Sequence, residues 1–268
     1  MNEHNFNNPH IITMSMEDIA VEGNEEKFEI KSNRGIKLVG IINTPREGDE
    51  LVIISHGLFA NKDRRRLQKA AYRFSRKGIA TLRYDSSGCG ESESIEHDLQ
   101  GDVSDLKQMI SYARTRGYST IALLGESYGG LVTLFAYDQD IKTVVLWGPV
   151  TGNRIPSFLK IEKYAKELSE NGYTTYNEGG RDHKVTQKYV DDRNSIDKRD
   201  LLPRIKCPVL IIHGSQDDQV SYKESEEAME YLPKGSKFVL MEKGTHSLDN
   251  KIDRTIEKTI GWLKENNA

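Results

Sequence analysis

Only two cysteines, Cys89 and Cys207, occur in 268 residues, far apart and in unlike surroundings. Their scarcity argues against a disulfide scaffold, fits a reduced compartment and leaves no cysteine metal motif. Long apolar runs are missing too, and no window approaches the roughly eighteen apolar residues of a membrane-spanning helix. The opening stretch "MNEHNFNNPHIITMSMEDIAVEG" has neither the basic start nor the apolar core of a signal peptide. A cytoplasmic location without membrane association is therefore expected. Neither sign of charge dominates: 38 basic residues stand against 41 acidic ones, which gives no bias toward nucleic acid or an anionic membrane. Internal repeats and low-complexity segments are absent. What remains is a globular chain with a heavily charged surface, long enough for one large domain or two small ones.

Strand and helix patterns alternate along most of it. Residues 1–24 are polar and aperiodic, and read as a tail or an added edge. "KFEIKS" and "IKLVGIINTP" flank the turn "NRG" and read as a hairpin. "LVIISHG" is a largely continuous apolar run ended by Gly57, the pattern of a parallel strand buried on both faces. A helix from Lys62 to Arg76, the strand "IATLRYD", an amphipathic helix over 97–117 and the strand "TIALLGES" follow. The short apolar helix "YGGLVTLFAYD" and the strand "KTVVLWGP" complete this half. From about Val150 to Asp200 the alternation breaks into mixed helical patches and turn signals. Regular order returns with "CPVLIIHG", a helix from Ser221 to Tyr231, "SKFVLMEKG" and a last amphipathic helix from about Asp249 to Glu265. The pattern predicts an α/β fold with a mostly parallel central sheet and helices on both faces. Its core comprises 25–149 and 201–268. The insertion at 150–200 far exceeds an ordinary connection, so it reads as a lid.

Chemistry concentrates at "GESYGG". Gly125-Glu126-Ser127-Tyr128-Gly129 has the form Gly-x-Ser-x-Gly, a turn that presents its serine hydroxyl above the C-terminal edge of a sheet. A serine needs a base, and the base an orienting acid, expected here in the chain order Ser, acid, His. His183 lies in the irregular insertion, with no strand to position it. His213 precedes the candidate acids and reads as a polar cap at a strand end. His246, in the turn after the last strand, is the chosen base. "SQDDQV" offers Asp217 and Asp218 as the acid, which the local pattern barely separates. Asp249 is a remoter candidate and reads better as the N-cap of the final helix. Oxyanion donors are expected from the backbone N–H of Tyr128 and from the loop after "LVIISHG", at Leu58 or, second, Phe59.

Taken together, "SHGLFANK", "RYDSSGCGES", "GESYGG", "HGSQDDQV" and "KGTHSL" make the chain resemble serine hydrolases of the α/β-hydrolase superfamily over residues 25–268. The "HG" loop and the position of the insertion most resemble bacterial cinnamoyl (feruloyl) esterases. In relatives the acid motif is His-Gly-x-x-Asp-x-x-Val, and the resemblance thus implies Asp217. It also implies a structural rather than catalytic place for Asp85, in "RYDSSG".

The resulting expectation is a serine esterase that acts through an acyl-enzyme on Ser127, with His246, Asp217 and the N–H groups of Leu58 and Tyr128. It uses no metal or organic cofactor. Its partner is a small-molecule ester, possible aromatic-acid esters included, with no nucleic acid, in a monomer or homodimer. An acyl thioesterase and an acyl-aminopeptidase are the alternatives with the same triad, and a ligand-binding module of the same fold is the non-enzymatic one. The run "NKDRRRLQK" raises Lys62, Arg64, Arg65 and Arg66 as attractors of an anionic substrate, against the plainer reading of a solvated helix face. Phe158, Tyr164, Tyr173 and Tyr176 are either pocket walls or the insertion's own core.

Overall fold

The structure is a computed structural model that describes residues 24–45, 49–93, 96 and 98–266. The expected tail at 1–24 lies outside them except for Asn24.

β1 (Asn24–Lys31) and β2 (Lys37–Thr44) pair antiparallel. Ser32 and Ile36 close the turn between them, with Gly35 at φ +80°. Next come β3 (Glu50–Ser55), α1 (Arg65–Ser75), β4 (Ala80–Tyr84), α2 (Leu99–Thr115), β5 (Thr120–Glu126), α3 (Tyr128–Ala136) and β6 (Thr143–Trp147). The insertion holds a 3-10 turn at Ser157–Lys160, α4 (Glu162–Asn171), β7 (Tyr173–Glu178), β8 (Arg181–Thr186), α5 (Gln187–Asn194) and α6 (Lys198–Leu201). The chain rejoins the sheet in β9 (Val209–Gly214), and continues through α7 (Tyr222–Ala228), β10 (Lys237–Met241) and α8 (Ile252–Asn266).

Eight strands form one sheet in the order β1-β2-β4-β3-β5-β6-β9-β10. β2 runs antiparallel to β1 and β4; the remaining pairings are parallel. The period-two alternation of a strand sends β3 side chains to two cores. Leu51 and Ile53 pack under α2, α3 and the insertion, whereas Val52 and Ile54 pack under α1 and α8. This is the layered architecture the alternating pattern predicts.

Three local details differ from the sequence reading. α1 starts at Arg65 rather than Lys62, because Lys62 turns inward to Asp85, Glu91 and Asp63. The insertion contains the hairpin β7–β8, whose half-exposed polar strands lack a buried-strand signal. Asp249 opens a 3-10 turn before α8 and does not cap it directly; its carboxylate faces Arg66 at 3.6 Å.

Candidate active site

A single residue, Ser127, separates β5 from α3. Its backbone sits at φ +53°, ψ −118°, a conformation that costs a non-glycine residue on the order of 1–3 kcal/mol. The neighbourhood holds it there. Its N–H donates to the Trp147 carbonyl at 2.9 Å, and its own carbonyl accepts from Gly130 and Val150 at 3.0 Å each. The flanking glycines are needed because the backbone doubles back on itself. A Cβ at Gly125 would lie 2.6 Å from Gly130 Cα, and one at Gly129 only 2.8 Å from the Ser55 carbonyl carbon.

Two later connections reach the same edge. After β9 and β10 the chain crosses itself closely: Gln216 N–H donates to the Gly244 carbonyl at 2.8 Å, and Ser215 N–H to Met241 at 3.0 Å. The crossing sets Asp217 beside His246. His246 Nε2 is 2.9 Å from Ser127 Oγ, and His246 Nδ1 is 2.7 Å from Asp217 Oδ2. A carboxylate at Nδ1 puts the proton there and leaves Nε2 to accept from the serine hydroxyl. Asp218 is exposed, so of the two neighbours that the local pattern barely separated, Asp217, the one implied by the resemblance, is the one beside His246.

Asp217 is held on all sides. Its Oδ1 accepts from the N–H groups of Gln219 and Val220 at 2.9 and 2.8 Å, and its Oδ2 also meets His213 Nε2 at 2.9 Å. Burial pushes its pKa up, but hydrogen bonds from His213, His246 and Val220 outweigh that and hold it far below the ordinary carboxylate range. It is therefore an anion across the working pH range. His213 is fully buried, with Nδ1 2.8 Å from Ser225 Oγ, so it braces the acid from behind.

Leu58 and Tyr128 border the same cavity of about 340 Å³ as Ser127, a size suited to a small ligand. Leu58 lies in the turn after β3, and its N–H has no hydrogen-bond partner among the described residues. Behind that loop His56 is buried, with Nδ1 2.8 Å from the Gly57 carbonyl, while Nε2 accepts from Ser86 N–H. Burial lowers its pKa and keeps it neutral in this brace. Phe59, at φ +56°, carries the contact with the insertion: its ring stacks on His183 at 4.3 Å and on Tyr176 at 5.8 Å. Phe158 and Tyr176 form cavity wall, Tyr164 packs behind them, and Tyr173 is exposed.

The four cations of "NKDRRRLQK" divide. Lys62 is buried among carboxylates and Arg65 points to solvent, whereas Arg64 and Arg66 reach the cavity paired with Glu178 and Glu126. Asp85 belongs to the buried Lys62 network, away from the serine's hydrogen bonds. The sequence reading missed His213 as a partner of Asp217, although the "HG" that ends β9 places it at the right edge. It also missed Arg154 and Arg193 from the insertion, which no local pattern marks. Among the described residues no group of three or more His, Cys, Asp or Glu could hold a metal ion. No described helix is long and apolar enough to cross a membrane.

Comparisons with known proteins show the family and the fold. A family model described as serine aminopeptidase, S33, matches residues 46–202. Human serine hydrolase BPHL is 26% identical over an alignment of 219 residues, which covers 75% of this chain and 75% of its own. Est1E from Butyrivibrio proteoclasticus, solved with ferulic acid bound, superposes with a TM-score of 0.74 at 24% identity, over 89% of this chain and 98% of its own. The α/β-hydrolase GrgF from Penicillium sp. sh18 superposes at 0.76 with 18% identity, over 91% and 99%.

Proposed function

Because the chain belongs to the serine aminopeptidase (S33) family, and is a serine hydrolase of the α/β-hydrolase fold, we propose that it cleaves carboxylic esters through an acyl-enzyme on Ser127. The observation that carries this reading is the continuous hydrogen-bonded run Ser127–His246–Asp217 opening on one cavity. Ser127 Oγ attacks the ester carbonyl while its proton passes to His246 Nε2, and Asp217 stabilises the resulting imidazolium. The N–H groups of Leu58 and Tyr128 receive the oxyanion. Collapse of the tetrahedral species expels the alcohol, which takes the proton from His246. Water then repeats the sequence on the acyl-enzyme, and the carboxylic acid leaves. The segment 150–200 acts as a cap that closes the cavity with Phe158 and Tyr176. Aromatic-acid esters are within the scope of this reading, since those rings offer stacking partners, and Est1E binds ferulic acid on a similar fold.

Esters are favoured over peptides with a free N-terminus by the charges of the wall. An aminopeptidase needs an anion for the substrate ammonium, but the cavity carboxylates Glu126 and Glu178 are both taken by arginines. The test is Ser127→Ala. It should lower hydrolysis of p-nitrophenyl butanoate by at least about 10⁴-fold, with circular dichroism and melting temperature preserved. A folded variant that retains activity within tenfold of wild type overturns the proposal.

A further inference from the structure

The charges that border the cavity do not cancel. Beyond the serine and its partners, four arginines line it: Arg64, Arg66, Arg154 and Arg193. The first three each have a carboxylate, in Glu178, Glu126 and Glu224. Arg193 has none among the described residues.

Arg193 is also the most deeply buried of the four, only 2% exposed on α5. Its Nη1 donates to the Tyr189 hydroxyl at 2.9 Å and its Nη2 to the Arg154 carbonyl, while Nε has no partner. Its Cζ stands 5.1 Å from the Tyr128 ring centroid and 5.7 Å from that of Tyr189. The aromatic faces compensate part of the charge's desolvation, and neutral hydrogen bonds another part. Neither supplies a counter-ion. The planar fork of a guanidinium matches a carboxylate. Tyr128, whose ring it covers, directly follows the nucleophile in the chain.

On the reading above that Ser127 cleaves esters, we propose that Arg193 is the anion-recognition residue of the cavity, and that the substrate is an ester carrying a free carboxylate. Arg154, whose carbonyl fixes the Arg193 guanidinium, is a positioning partner. Ser127 and Arg193 line the same cavity, with Tyr128 next to the nucleophile in the chain and its ring under the guanidinium. The carboxylate belongs either to the acyl group or to the alcohol.

Two matched pairs of esters distinguish these sources. Mono-p-nitrophenyl hexanedioate against p-nitrophenyl hexanoate places the anion on the acyl side. 4-(Hexanoyloxy)benzoate against its methyl ester places it on the alcohol side. In wild type, the charged member of one pair should exceed its neutral partner in kcat/KM by about tenfold or more, mainly through KM. Arg193→Met should bring that ratio to about one, and Arg193→Lys should recover part of it. Equal loss on both members of each pair means that Arg193 is only a strut, and overturns the proposal. If Arg193→Met does not fold, competition in wild type decides: hexanedioate should inhibit about tenfold more tightly than hexanoate, and equal inhibition overturns the proposal. Cleavage of the neutral esters without any preference for charge also overturns it, and leaves the esterase reading standing. Failure to cleave any of the four, together with no labelling of Ser127 by a fluorophosphonate, overturns both.

Discussion

At the scale of the residue, the carboxylate of Asp217 shows how much organisation one charge can need. Oδ2 serves two imidazoles, and Oδ1 two backbone N–H groups. His213 stands between the Ser225 hydroxyl and the acid, with the Val220 carbonyl and Asp217 around its Nε2, so the proton sits on that nitrogen. Remove this donor, and the carboxylate is less stabilised and attracts the His246 proton more strongly. His213→Ala should therefore lower kcat by about 10- to 100-fold and move the acidic limb of the kcat/KM profile to higher pH. His213→Gln, which can still donate, should restore part of both. A drop in kcat with an unmoved limb would assign His213 to packing alone. The role of His213 is not legible in "HGSQDDQV", and the choice of Asp217 over Asp218 is legible there only through the family resemblance, not from the local pattern. The two aspartates differ by one position, and only the fold of the loop turns one inward.

At the scale of the element, the insertion is tied to the rest of the molecule by rings. His183 on β8 lies flat against Phe59 of the loop after β3, in a cluster with Tyr176 and Phe158. Burial, reinforced by Arg181, pushes its pKa down to about 4. A histidine depressed in the folded state favours folding most above its unfolded value near 6.5, where it is neutral in both states. As pH falls from there toward 4, the unfolded chain takes the proton first, and that stability is lost. Wild type should thus lose more melting temperature between pH 7 and 4 than His183→Phe, which keeps a ring against Phe59. Parallel losses in the two proteins would remove His183 from the contact. The β7–β8 hairpin escaped the sequence reading for a related reason: its strands are stabilised by this cluster and by each other, with one face in water, so no apolar run announces them. The helices and parallel strands of the core were legible because their burial is periodic.

Across the whole molecule, the sheet separates two cores, and the site rides on the edge where both are anchored. Phe74 on α1 is fully buried in the core beneath α1 and α8, on the face away from the insertion. Phe74→Ala should cost about 3–5 kcal/mol, read as a lowered urea midpoint with unchanged slope, while the folded fraction keeps its hydrolase activity. A loss below about 1 kcal/mol would mean that this face can collapse around the cavity. The same architecture explains what could be read without coordinates. Burial periodicity, the glycines around Ser127 and the order serine, acid, histidine are properties of neighbours along the chain, so the sequence by itself determined the fold class, the elbow and the choice of His246 as the candidate base. The pairing of His213 with Asp217, the retreat of Lys62 into carboxylates and the isolation of Arg193 beside Tyr128 join residues that strand order and the insertion bring together. Only the tertiary structure decided them, because the energy of a charge depends on what surrounds it in space.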